Sequence, residues 1–66
     1  MRVLLSNVSR QTGYMIIDAF YSALSAMNYP VKAHRDDMLM FLDIDEGFRI
    51  TTLKYDIRTR RVLLMQ

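Results

Sequence analysis

A chain of 66 residues with no cysteine, one histidine, two glycines and a net charge of +2 forms at most one domain, without disulfide or thiolate-metal staples. Such a short chain buries only about 60% of the surface its unfolded form exposes, yet 52% of its residues are hydrophobic, which leads us to expect association with another chain. No run approaches the roughly 20 apolar residues of a membrane span, and Met1–Ser6 has neither the apolar core nor the cleavage site of a signal peptide, so a cytoplasmic protein without membrane attachment is expected.

Arg2–Asn7 alternates around Val3, Leu4 and Leu5 before the turn-formers Ser6, Asn7 and Ser9, and reads as a strand. Ser9–Tyr29 is the one helical stretch. At roughly 100° per residue, Ile16, Ile17, Ala19, Phe20, Ala23, Leu24 and Met27 share one broad arc, and Asp18, Ser22, Ser25 and Asn28 lie opposite. Ser9 or Thr12 supplies the N-cap, and Pro30 stops the helix by biasing Tyr29 out of the α region. Val31–Arg35 is a short edge strand ended by the turn pair Asp36-Asp37.

Met38–Ile44 is the most apolar run, expected to be the central strand and buried on both faces. Asp45-Glu46-Gly47 makes a hairpin loop into Phe48–Tyr55. Asp56-Ile57-Arg58-Thr59 turns the chain again into the last strand, Arg60–Met65. The predicted fold is α+β, a two-layer sandwich of one helix on a mainly antiparallel sheet of four or five strands. Its order is β-α-β-β-β-β, in one compact domain over residues 1–66. The Met1 start and absence of linkers lead us to expect a complete small reading frame of the kind phages and bacteria encode.

One helix covers only one sheet face, and the strands carry apolar residues on both parities. If the helix covers Met40, Leu42, Ile44, Phe48 and Ile50, then Leu39, Phe41, Leu53, Tyr55, Leu63 and Met65 form a second apolar face that another chain must bury. The parity switches near Thr51-Thr52, where a bulge would reconcile it. Tyr14 and Tyr21, two turns apart on the helix, have the composition favoured at protein interfaces.

Asp43, Asp45 and Glu46 suggest a magnesium or calcium site, but Gly47 and Lys54 occupy positions where an EF-hand loop has ligands, and an acidic turn explains them better. His34 has no recognisable orienting partner or nucleophile and reads as a solvent-facing strand residue. With no cysteine nucleophile and no glycine-rich phosphate loop, neither catalytic residues nor a cofactor are expected.

Charge is divided unevenly. Residues 1–46 hold Arg2, Arg10, Lys32 and Arg35 against Asp18, Asp36, Asp37, Asp43, Asp45 and Glu46, a balance of −2. Residues 47–66 hold Arg49, Lys54, Arg58, Arg60 and Arg61 against Asp56, a balance of +4. A basic C-terminal hairpin could lie along a phosphate backbone with Tyr55 stacking on a base, or could simply guard an edge strand. The leading expectation is a non-enzymatic protein-interaction module, an inhibitor or regulator that works as a homodimer, with Leu39, Phe41, Leu53, Tyr55, Leu63, Tyr14 and Tyr21 at its interfaces. The alternative is nucleic-acid binding through Arg49, Lys54, Arg58, Arg60 and Arg61.

Overall fold

A computed structural model describes residues 1–66 and shows one helix on a five-stranded antiparallel sheet: β1 (Arg2–Leu5), α1 (Arg10–Ala26), β2 (Val31–Arg35), β3 (Leu39–Asp45), β4 (Ile50–Asp56) and β5 (Arg61–Met65). The strand order is β1-β5-β4-β3-β2. β2 to β5 form a meander, and β1 adds antiparallel to β5 at the far edge. The two edge strands are therefore the two that flank the helix in sequence.

Both ends of α1 follow from its sequence. Ser9 is extended, and its Oγ accepts a hydrogen bond from the Thr12 amide at 3.2 Å, satisfying one otherwise free donor of the first turn. The C-terminus closes three residues before the expected Tyr29. Asn28 takes a left-handed φ of 58°, its N–H donates to the Ser25 carbonyl, and the Tyr29 N–H donates to the Leu24 carbonyl. That pair of bonds is a Schellman cap, with asparagine in glycine's usual place. Pro30 follows the cap and leads into β2.

Two strand expectations are corrected by the register. β3 lies beside the central strand β4 and is buried only on its helix-facing side. β4 starts at Ile50, because Asp45 pairs with Ile50 across the loop Glu46–Arg49, with Asp45 Oδ1 accepting from the Gly47 N–H at 2.8 Å. Phe48 sits in that loop, 79% exposed. Pairing from Asp45–Ile50 to Leu39–Asp56 is unbroken, so no bulge occurs at Thr51-Thr52; the irregularity is in β1, between Val3 and Leu5. Leu53 and Tyr55 consequently face the helix and belong to the core, not to an interface.

That core comprises Val8, Ile17, Met40, Leu42, Leu53, Tyr55 and Val62. Tyr55 is its largest side chain, fully enclosed, and its hydroxyl donates to the Val8 carbonyl at 2.7 Å. Gly13 lets α1 settle on it. A Cβ at that position would stand 2.5 Å from the Tyr55 ring carbons, so only glycine allows this approach.

The helix packs mainly over β2, β3 and β4. A helix is roughly 10 Å across, whereas five strands at about 4.8 Å spacing span about 19 Å. Val62 of β5 is buried, and the part of the helix-facing surface at β1, where Leu5 is exposed, stays open. With Gly13 and Ile17 against the sheet, Tyr14 and Tyr21 project along one flank and Ile16, Ala19, Phe20, Ala23 and Met27 along the other. The Arg35 guanidinium lies 4.4 Å from the Tyr14 ring centroid, which identifies the tyrosine flank as the β2 side. The second flank therefore overlooks β5 and β1. Of the expected seven-residue arc only Ile16, Ile17 and Leu24 are covered, because the arc is wider than the stripe one sheet contact can bury.

Candidate functional site

Three surfaces collect the residues that sequence singled out, together with several that it did not. The first is the sheet face opposite the helix. Cross-strand pairing lines up His34, Phe41, Lys54, Leu63 and Val3 in one row across all five strands. The His34 ring stacks on Phe41 at 4.7 Å between centroids and 14° between planes, and its Nε2 is 3.3 Å from Asp43 Oδ2. Asp43 also accepts from the Thr52 hydroxyl at 2.8 Å. Leu39 and Phe41 are half-buried and Leu63 is buried, while Lys54 stands between its cross-strand partners Phe41 and Leu63. The face is thus amphiphilic and partly covered by its own side chains, less bare than the six-residue apolar face expected.

The second surface joins the outer flank of α1 to β1. Phe20 and Met27 on the helix, and Leu4 and Leu5 on the edge strand, are all exposed. The other edge differs in kind. β2 carries Lys32 and Arg35, charges that discourage a foreign strand, whereas β1 carries only Arg2. Sequence reading missed this surface because it assigned the whole apolar arc of the helix to the sheet.

The third surface is the end of the sheet that holds the helix N-terminus and the β2–β3 and β4–β5 turns. The Ile57 amide donates to the Met38 carbonyl, tying the two turns together, and the Val8 amide donates to the Arg60 carbonyl. Arg10, Arg35, Arg58, Arg60 and Arg61 gather here. Carboxylates are present too: Asp36 Oδ1 accepts from the Met38 and Leu39 amides, Asp56 Oδ1 accepts from the Arg58 and Thr59 amides, and Asp37 is exposed beside them. The chain's two ion pairs, His34–Asp43 and Arg49–Glu46, involve none of these five arginines.

Arg10 and Arg35 converge on Tyr14. Arg10 Nε donates to the Tyr14 hydroxyl at 3.1 Å, its guanidinium carbon lies 5.5 Å from the ring centroid, and Arg35 covers the ring. The hydrogen bond from Arg10 holds the Tyr14 phenol below its ordinary pKa, with Arg35 adding to the effect, and the same contact raises Arg10. Tyr14 also meets Tyr55 edge-on, at 6.3 Å and 86°. It is therefore a half-buried strut and not a free interface tyrosine; Tyr21 remains exposed.

The predicted basic hairpin is divided by the fold. Arg49 lies at the opposite end of β4, paired with Glu46 at 3.1 Å, and Lys54 lies on the open face. Tyr55, enclosed in the core, is unable to stack on a base. The acidic trio is engaged locally: Asp45 caps its turn, Asp43 meets His34 and Thr52, and Glu46 accepts from Arg49 and the Thr51 hydroxyl, which together depress its pKa. No helix is long and apolar enough to cross a membrane. No protein family, curated protein or solved structure matches the chain.

Proposed function

We propose that the chain is a non-enzymatic protein-interaction module that works as a homodimer, each copy covering the other's β1 edge and the adjoining helix flank. The observation behind this reading is the balance of apolar side chains: eight hydrophobic residues are buried, whereas thirteen large ones are exposed. A second copy fits this surface for two reasons. An unpaired edge can add antiparallel to its own copy about a two-fold axis, which makes the same patch serve both partners. The area is also of the right order. Leu4 at 42%, Leu5 at 49%, Phe20 at 50% and Met27 at 70% exposure, with Met1 beside them, offer on the order of 500 Å² of side-chain surface. Backbone pairing and Ala19 and Ala23 bring that towards the roughly 800 Å² per partner of a standard interface.

Joined this way, the two open faces lie side by side on one surface of a continuous sheet. That doubled face, with Leu39 and Phe41 in each half, is what the dimer presents to a target protein whose activity it regulates by occupying its surface. Light scattering after size-exclusion chromatography tests the seam. The wild type is expected at twice the 7.8 kDa chain mass, and the Leu4→Lys/Phe20→Glu variant at the monomer mass with its helical circular dichroism intact. A monomeric wild type at high micromolar concentration, or a variant that stays dimeric, overturns the reading.

A further inference from the structure

We propose that the arginine-rich end of the sheet binds the phosphate backbone of nucleic acid, with Arg10 and Arg35 holding one phosphate beside Tyr14. Two guanidiniums sharing one tyrosine repel each other unless an anion lies between them, and neither has a carboxylate in ion-pair range. Both guanidinium carbons lie close to the Tyr14 ring, at 5.5 Å and 4.4 Å from its centroid, so the two charges are held near one another. Arg10 spends only its Nε on Tyr14, leaving its terminal nitrogens free to donate. Asp37, whose charge reaches Arg10, makes no ion pair with it.

Arg58 and Arg60 extend the charge along the neighbouring turn, while Arg61, the cross-strand partner of Asp56, lies on the open side of the sheet, so the surface suits a chain of phosphates better than an isolated one. Asp36, Asp37 and Asp56 lie at the same end and keep their charge, so five arginines against three carboxylates leave a local balance of +2. Bases have no obvious reader here: Arg35 occupies the Tyr14 face and Tyr55 is sealed in the core. Binding is therefore to the backbone and indifferent to sequence. This site includes Arg10 and Arg35, which lie far from the C-terminal hairpin in sequence, and excludes Arg49 and Lys54.

The test is fluorescence anisotropy with labelled oligo-dT and oligo-dA of about 20 nucleotides, longer than one such site, in about 50 to 200 mM salt. Both oligonucleotides are expected to bind within about threefold of each other, with log K falling against log salt at a slope of about −2 to −3.5 for three to five phosphates. Arg10→Gln/Arg35→Gln is expected to weaken binding about tenfold and to flatten the slope by about 0.7, one phosphate's share. Arg58→Gln/Arg60→Gln, altered in the β4–β5 turn, is expected to weaken it too. Arg49→Gln, at the opposite end, is expected to match the wild type. The proposal is overturned by no binding at the lowest salt, by equal loss in Arg49→Gln, or by polyglutamate of the same charge competing as well as the oligonucleotide.

Discussion

Replacing Gly13 by alanine should destabilise the protein even though alanine is the better helix former. In an exposed helix interior the exchange gains about 1 kcal/mol. Here the new methyl would lie 2.5–2.6 Å from three carbons of the Tyr55 ring, over 1 Å inside ordinary carbon–carbon contact. The ring has nowhere to go: it is fully buried, its hydroxyl is bound to the Val8 carbonyl, and Tyr14 packs on its edge. Overpacking typically costs about 1–3 kcal/mol, and a ring held on three sides places this case at the upper end or beyond. The net loss should be about 2 kcal/mol, a fall in Tm on the order of 10 °C for a domain this small. Urea unfolding followed by circular dichroism measures it. The cause is isolated by repeating the exchange in a Tyr55→Leu background, where the added methyl has room and should cost nothing further. Gly13→Ala as stable as the wild type would refute the close approach, and equal losses in both backgrounds would refute its assignment to Tyr55.

Tyr55→Phe keeps the ring but leaves the Val8 carbonyl without its side-chain donor, which should cost about 1–2 kcal/mol in urea unfolding. Exchange of the Val8 amide, bonded to the Arg60 carbonyl, should speed up in the same variant if the two contacts hold one loop. Glu46 has its pKa depressed, first by the Thr51 hydroxyl and then by Arg49, so its folded value lies below the ordinary 4.5. Its contribution is therefore present above that ordinary value and lost as pH falls through the folded one. Stability measured from pH 6 downwards should drop less steeply in Glu46→Gln than in the wild type, and identical curves would show that the carboxylate contributes nothing.

The helix, the four-strand meander and the place of its turns were legible because each has a local chemical signature, although the bounds of the β3–β4 loop were not. Ser9 caps, Asn28 and Pro30 terminate, and Asp36, Asp45 and Asp56 each accept from amides two residues on. The faces were less legible, and one loop explains why. Counting Asp45-Glu46-Gly47 as the whole hairpin loop opposes Ile44 to Phe48, whereas Ile44 in fact opposes Thr51. That shift of three, an odd number, turns every β4 side chain to the other side, which moves Leu53 and Tyr55 from the open face into the core. The arginine end was out of reach for a different reason. Arg10 and Arg35 are 25 positions apart and meet only because α1 crosses back over the sheet to β2.

The lopsided cover of the sheet has its origin in loop length. Only Ser6–Ser9 separate β1 from α1, and only Met27–Pro30 separate α1 from β2, so neither connection leaves the helix free to choose its position. The first must clear β5, which it does with Val8 held by the Arg60 carbonyl and the Tyr55 hydroxyl, and it delivers Gly13 onto β4. The second ties the helix C-terminus to β2. The helix is thereby drawn towards the charged edge, and the exposed apolar floor falls at β1, the edge with least protection against pairing. If a second copy covers that floor, folding and association are linked, since burial of the same side chains stabilises both. The five clustered arginines lie on α1, β2 and the β4–β5 hairpin, and β1 contributes none of them. A seam built on β1 can therefore leave both arginine-rich ends free, so the dimer reading and the phosphate reading do not compete for the same side chains.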